Sequence, residues 1–210
     1  MNRLFFVAAA FLACAAFAAG LYLAVTMHGD DAPSIDGFLW PEPPRLSAFE
    51  LDRDDGAKLT EQDFMGRWTL VFFGFANCPD VCPTTMNTLA QVVEKLNADP
   101  TLATVPQVIF VSVDPERDKP EILREYVDYF NEDFIGATAD EERLSHFAAQ
   151  FGVLYMKIET PGQDTYTMDH SASVLLVDPA LNTVGLFSPP HRVDGITRSV
   201  TQIIDYLGDE

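Results

Sequence analysis

From Leu4 to Met27 the chain runs LFFVAAAFLACAAFAAGLYLAVTM without a charged residue. A helix rising ~1.5 Å per residue through that stretch covers about 36 Å, enough to cross a hydrocarbon core of ~30 Å. The pattern divides the chain into an anchor over 1–27, a proline-rich linker over 28–45 and a folded domain over 46–210. Ala16-Phe17-Ala18 resembles a signal-peptide cleavage site, but the apolar run continues through Val25, which suits an uncleaved transmembrane helix better. Arg3 precedes the span and HGDD follows it, so the amino terminus is expected in the cytoplasm and the domain outside.

Past the linker, polar and apolar positions alternate with two periods. AFELDRDDGAKLT predicts a hairpin turning at Asp55-Gly56. The run at 67–76, RWTLVFFGFA, predicts a buried strand, followed by a helix with Pro83 at its first position. Met86, Leu89, Ala90, Val93 and Leu96 share one face of that helix. QVIFVSV, 107–113, predicts a second buried strand. A helix over about 120–131 and a short strand at 134–137 come next. The helix at 140–151 carries a stripe of Leu144, Phe147, Ala148 and Phe151. Strands are expected at 153–158, 173–178 and 183–187. The final helix, 194–207, turns Ile196, Val200, Ile203, Ile204 and Leu207 inward. This order predicts an α/β domain, a central mixed β-sheet flanked by helices, in the sequence of elements of a thioredoxin-like fold.

Charge narrows the partners. Of 13 Lys+Arg and 32 Asp+Glu, only Arg3 lies before His28, leaving 12 against 32 in the rest of the chain. Such a domain repels phosphates, which excludes nucleic-acid binding.

Outside the apolar segment only Cys78 and Cys82 remain, in GFANCPDVCPTTM. A disulfide between residues so close in sequence closes a very short loop and stabilises little. Redox or metal chemistry is therefore favoured over a structural staple. The pair is expected at the amino end of the first core helix, where free N–H groups and the helix dipole favour thiolate. Two thiolates suit Cu(I) and, less selectively, Zn(II), but they leave a metal site incomplete. His28 is expected in solvent, His146 on a surface and His191 in a loop. His170 directly precedes a buried strand. In a thioredoxin-like sheet that strand runs antiparallel to the one at 67–76, which carries His170 to the cysteines. Three carboxylates lie nearby: Asp80, as a helix cap or partner contact; Asp114, at the same sheet edge, as a turn cap; and Asp169, as a partner orienting the His170 ring.

FFGFANCPDVCP, VSVDPERDKP and MDHSASVLLVD, in this order, resemble the Sco/SenC family of membrane-anchored copper-handling proteins, over a stretch from about Pro41 to the end. Ala76 departs from the usual hydroxyl residue, and PTTM from a common acidic-apolar pair; neither touches a ligand. The resemblance implies one copper ion, Cu(I) or Cu(II), held by Cys78, Cys82 and His170. It also implies that Asp114 tunes the site and that copper passes to the CuA centre of cytochrome c oxidase subunit II. Other copper chaperones and thiol-disulfide proteins are further implied partners. The protein is then a metallochaperone rather than an enzyme. A second reading keeps Cys78 and Cys82 as a redox disulfide that reduces the partner's cysteines and does not need His170. A thiol peroxidase would need one attacking cysteine in a pocket, which the C-x-x-x-C pair argues against. An anchor starting at residue 4 leaves no room for a transit peptide, so the bacterial inner membrane is expected, with the domain in the periplasm.

Overall fold

A computed structural model describes residues 2–26, 33–159 and 165–208. The chain forms two compact units, 1–33 and 34–210. Among its described residues the first forms the helix α1 (Asn2–Thr26), whose side chains are described over residues 6–20. Phe6, Val7, Phe11, Leu12 and Phe17 are all exposed there. Among the described residues no helix is long and apolar enough to cross a membrane. The transmembrane expectation is thus not carried by the described part of α1. His28 falls outside the described residues.

The second unit is an α/β sandwich. Its eight-stranded mixed sheet has the order β1-β10-β9-β4-β5-β6-β2-β3. The strands are β1 (Phe38–Leu39), β2 (Glu50–Arg53), β3 (Lys58–Thr60), β4 (Thr69–Gly74), β5 (Gln107–Ser112), β6 (Ile135–Thr138), β9 (Val174–Val177) and β10 (Thr183–Phe187). A separate two-stranded ribbon pairs β7 (Tyr155–Glu159) with β8 (Tyr166–His170). The helices are α2 (Val81–Asn97), α3 (Pro120–Asp128), α4 (Glu141–Gln150) and α5 (Val193–Gly208).

Alternation along β4 builds both sides of the sheet. Leu70 and Phe72 join Met86 and Leu89 of α2, Leu123 of α3 and Ile196, Val200 and Ile203 of α5 in one core. Val71 and Phe73 join Leu144, Phe147 and Phe151 of the α4 segment, Leu51 and Leu59 of the amino-terminal hairpin and Phe64 of the turn that follows it in the other. Because both faces are covered, β4 is buried at every position and reads as a continuous apolar run. The expected helix stripes face these cores.

Three differences from the sequence pattern have physical reasons. α2 starts at Val81, so Pro83 is its third residue; no donor is lost, because the first four N–H groups have no intrahelical partner. The linker is shorter than expected. Ile35, Leu39 and Trp40 pack on the cores, and Phe38–Leu39 adds an edge strand to β10, so its apolar residues outweigh its prolines. Finally, the strand expected at 153–158 does not enter the central sheet. It pairs with β8, whose alternating half-buried and exposed residues the sequence reading passed over.

Candidate metal centre

β4 and β5 run parallel in register through Gly74 and Ser112, so their carboxyl ends open at the same edge. β9 runs antiparallel to β4, with Val174 opposite Phe72, and therefore begins at that edge. The loop carrying Cys78, the first turn of α2 and the end of β8 converge there.

Cys82 is the second residue of α2. Its backbone N–H, free in the first turn, donates to Cys78 Sγ at 3.4 Å. His170 lies between the edges of Phe72 and Phe75, with ring centroids 6.2 and 5.9 Å away. Its Nδ1 is 3.1 Å from the carbonyl oxygen of Ser171. A carbonyl can only accept, so Nδ1 carries the proton and Nε2 presents its lone pair. That nitrogen is 3.5 Å from Cys82 Sγ. The two sulfurs and one imidazole nitrogen all lie within 4.8 Å of one another. Bonds of about 2.3 Å to sulfur and 2.0 Å to nitrogen put donors on one ion roughly 4 Å apart, so one soft metal ion fits the triplet with small adjustments.

The two thiols differ. Both are free, Cys78 half-buried and Cys82 fully buried. Burial pushes the Cys82 thiol far above its usual range, and its contact with Cys78 adds to the rise. Binding a cation at Cys82 must therefore expel a tightly held proton. On the open side, Cys78, Pro79, Asp80, Val81, Met168 and His170 help line a cleft of about 280 Å³, so Cys78 and His170 are reachable from solvent while Cys82 lies behind them, fully buried.

Gly74, which the sequence reading did not single out, makes room for the buried sulfur. A Cβ there would stand 2.9 Å from Cys82 Sγ and 2.8 Å from Phe110 Cε2. A glycine inside the aromatic run VFFGF was the available signal, since glycine in a strand interior often marks a close approach. Asp118 is likewise new. It is fully buried, and its Oδ2 accepts the Ala76 N–H at 2.8 Å and the Ser112 hydroxyl at 2.6 Å. It thereby fastens the cysteine loop to the turn after β5. Burial, foremost, raises its carboxyl above the ordinary carboxylate range.

The three expected carboxylates are differently placed. Asp80 occupies the N-cap position of α2 but makes no capping bond; its φ of −144° and ψ of −68° are not the extended conformation a side-chain cap uses. Asp114 is buried, and its carboxylate accepts the Tyr166 hydroxyl at 2.8 Å and the Arg117 Nε–H. Asp169 does not orient the imidazole. Successive side chains of a strand point to opposite faces, and the ring proton goes to Ser171 instead. His146 is exposed on α4. His191 is bonded at both nitrogens: Nε2 donates to the Phe187 carbonyl and Nδ1 accepts from the Thr85 hydroxyl, both at 3.1 Å.

Comparison with known proteins places this geometry. The SCO1/SenC family model matches residues 42–205. The chain is 40% identical over 156 residues to the mitochondrial protein SCO1 homolog 1 of Arabidopsis thaliana, covering 74% of this chain and 46% of that protein. It is 36% identical over 159 residues to the mitochondrial SCO2 homolog of Mus musculus, covering 76% and 59%. The chain thus spans about half the length of these curated relatives. The crystal structure of Arabidopsis thaliana ScoI with copper bound superposes with a TM-score of 0.71 at 38% identity, covering 76% of this chain and 98% of that one. The solution structure of apo Sco1 from Thermus thermophilus gives 0.69 at 36% identity, covering 83% and 97%.

Proposed function

The chain belongs to the SCO1/SenC family, and from that premise we propose that it binds copper through Cys78, Cys82 and His170 and serves cytochrome c oxidase assembly as a copper chaperone. The observation that carries this is the donor triplet. Two sulfurs and a lone-pair-bearing imidazole nitrogen within 4.8 Å form a soft set that suits Cu(I), and relatives of this fold have been solved with copper bound.

Three donors beside an open cleft leave a position from which an acceptor's ligand can attack the bound ion. Copper then passes by stepwise exchange, one chaperone donor leaving as one acceptor donor arrives. The half-buried Cys78 is the accessible sulfur and His170 borders the same cleft; the buried Cys82 is the last to let go. The acceptor in this reading is the CuA site of oxidase subunit II. The exposed apolar side chains of α1, continued by the uncharged sequence to Met27, support a membrane anchor that holds the domain on the periplasmic side of a bacterial inner membrane.

A second reading rests on a separate observation. Cys78 is a partly exposed free thiol next to a buried free thiol, the arrangement of an attacking and a resolving cysteine. In a thiol-disulfide exchange, Cys78 sulfur bonds to one sulfur of a partner disulfide and releases the other as thiolate. Cys82 then displaces the mixed disulfide, leaving Cys78–Cys82 oxidised and the partner reduced.

Titration of the reduced full chain with Cu(I) against a competing chelator tests the assignment. His170→Ala and Cys78→Ser should each weaken binding at least tenfold, about 1.4 kcal/mol. Unchanged affinity in His170→Ala would remove the imidazole from the site. Full disulfide-reductase turnover by the same variant would favour the second reading.

A further inference from the structure

Among the described residues, the β7–β8 ribbon that carries His170 has no ladder to the central sheet. A lone two-stranded ribbon is marginally stable in water, so contacts of its side chains must set its position. On β8, Tyr166, Met168 and His170 alternate onto one face, turned inward. Tyr166 meets the turn after β5. Its hydroxyl donates to buried Asp114 Oδ1 at 2.8 Å, with Glu116 Oε2 at 3.3 Å. Arg117 donates through Nη1 to the Tyr166 carbonyl at 3.0 Å and through Nε to Asp114. The Arg117 guanidinium carbon sits 3.8 Å from the Tyr166 ring centroid and 5.9 Å from that of Phe75. Lys157 of β7 closes the outer side, 4.0 Å from the Tyr166 ring centroid and 2.8 Å from Glu116.

The same turn holds the cysteine side. Asp118, next to Arg117, accepts the Ala76 N–H, and the Val113 N–H donates to Gly74. The segment 113–118 is therefore a bracket: its far end fixes the loop leading to Cys78, and Arg117 with Asp114 fixes the strand ending in His170.

We propose that Arg117 and Tyr166 are positioning residues: together they seat the ribbon so that the His170 ring meets the two sulfurs, and neither touches the metal. This rests on the copper assignment above. Arginine suits the role where lysine does not. Its planar group stacks on the tyrosine while its separate N–H donors reach a carboxylate and a carbonyl at fixed angles. Tyr166→Phe keeps the ring and the stack but removes the hydroxyl, leaving one buried oxygen of Asp114 without that donor.

The test uses the reduced full chain, Cu(I) with a competing chelator, and hydrogen exchange of amides 166–170 in the metal-free protein. Tyr166→Phe should weaken Cu(I) binding about tenfold and Arg117→Lys more, while both keep two titratable thiols and native circular dichroism. Exchange over 166–170 should accelerate at least threefold in both. The decisive comparison is a double-mutant cycle. If Tyr166 acts through His170, adding Tyr166→Phe to His170→Ala should cost no further affinity. Undiminished loss in the His170→Ala background would overturn the proposal, as would wild-type affinity with wild-type exchange in Tyr166→Phe. If His170→Ala alone changes nothing, the copper assignment fails, and the exchange data alone decide whether the bracket holds the ribbon.

Discussion

Replacing Gly74 by alanine adds one methyl group where two immobile neighbours already stand. The new Cβ would lie 2.9 Å from Cys82 Sγ and 2.8 Å from Phe110 Cε2, whereas unstrained carbon contacts sit at about 3.5–4.0 Å. Each neighbour must yield by roughly 0.6 Å or more. Both are fully buried, and Cys82 is fixed by its place in the first turn of α2. Overpacking of this kind costs about 1–3 kcal/mol, offset by about 0.5–1 kcal/mol from the lost backbone freedom of glycine. A net loss of up to about 2.5 kcal/mol, centred on about 1 kcal/mol, is expected, with a fall of about 2–4 °C in Tm per kcal/mol for a chain of this size. The clash acts on a donor sulfur, so copper affinity should fall as well. Gly136→Ala is the control. Its Cβ would press on Leu123 Cβ at 3.0 Å and Asp54 Cβ at 3.3 Å, on the α3 side of the sheet, and should destabilise without weakening copper. Urea unfolding and Cu(I) competition on both variants give the answer. If Gly74→Ala keeps wild-type stability, or loses no more copper affinity than Gly136→Ala, the packing argument is refuted.

Two more outcomes follow from buried titratable groups. Asp118→Ala leaves the Ala76 N–H and Ser112 hydroxyl without their acceptor and should cost about 1–3 kcal/mol in urea unfolding. Because burial raises the Asp118 carboxyl, its stabilising contribution is complete below the unfolded value near 3.8 and erodes as pH rises through the folded one. The gap between wild type and Asp118→Ala should therefore narrow from pH 4 towards 7, and a gap that widens would contradict the assignment. Burial lowers the His191 pKa from 6.5, so the unfolded chain takes up the proton first. Stability should be complete above pH 6.5 and fall on acidification, and His191→Gln should flatten that fall in unfolding curves at pH 7.5 and 5.5.

How much was legible beforehand depended on how each residue does its work. β4, β5 and the helix faces were readable because burial on a sheet or helix leaves a period in the sequence. The approach of His170 to Cys82 was readable too, since an antiparallel β9 beside β4 fixes which ends meet, although its seat on a ribbon was not. Asp169 misled because adjacency in sequence suggests contact, while a strand turns neighbouring side chains to opposite faces. Tyr166 left no trace, and Arg117 and Asp118 stood only as unassigned letters inside VSVDPERDKP. Arg117 and Asp118 follow a buried strand in a polar turn, where composition says only that the chain bends. Tyr166 sits on a half-exposed ribbon whose periodicity is weak. Their partners are long-range: Tyr166 to Asp114 spans 52 positions and Ala76 to Asp118 spans 42.

The separation of His170 from Cys82, 88 positions along the chain, also sets when the site can exist. Two thiols four residues apart are neighbours in any state, the unfolded chain included. A metal gripped by them alone binds both states and shifts the folding equilibrium little, because only preferential binding to the native state stabilises it. The imidazole arrives only once β9 has closed beside β4. Under the proposed copper assignment, the affinity it adds belongs to the finished tertiary structure, so full-strength copper loading would certify that the domain has folded, and a misfolded copy would compete for the ion at a disadvantage.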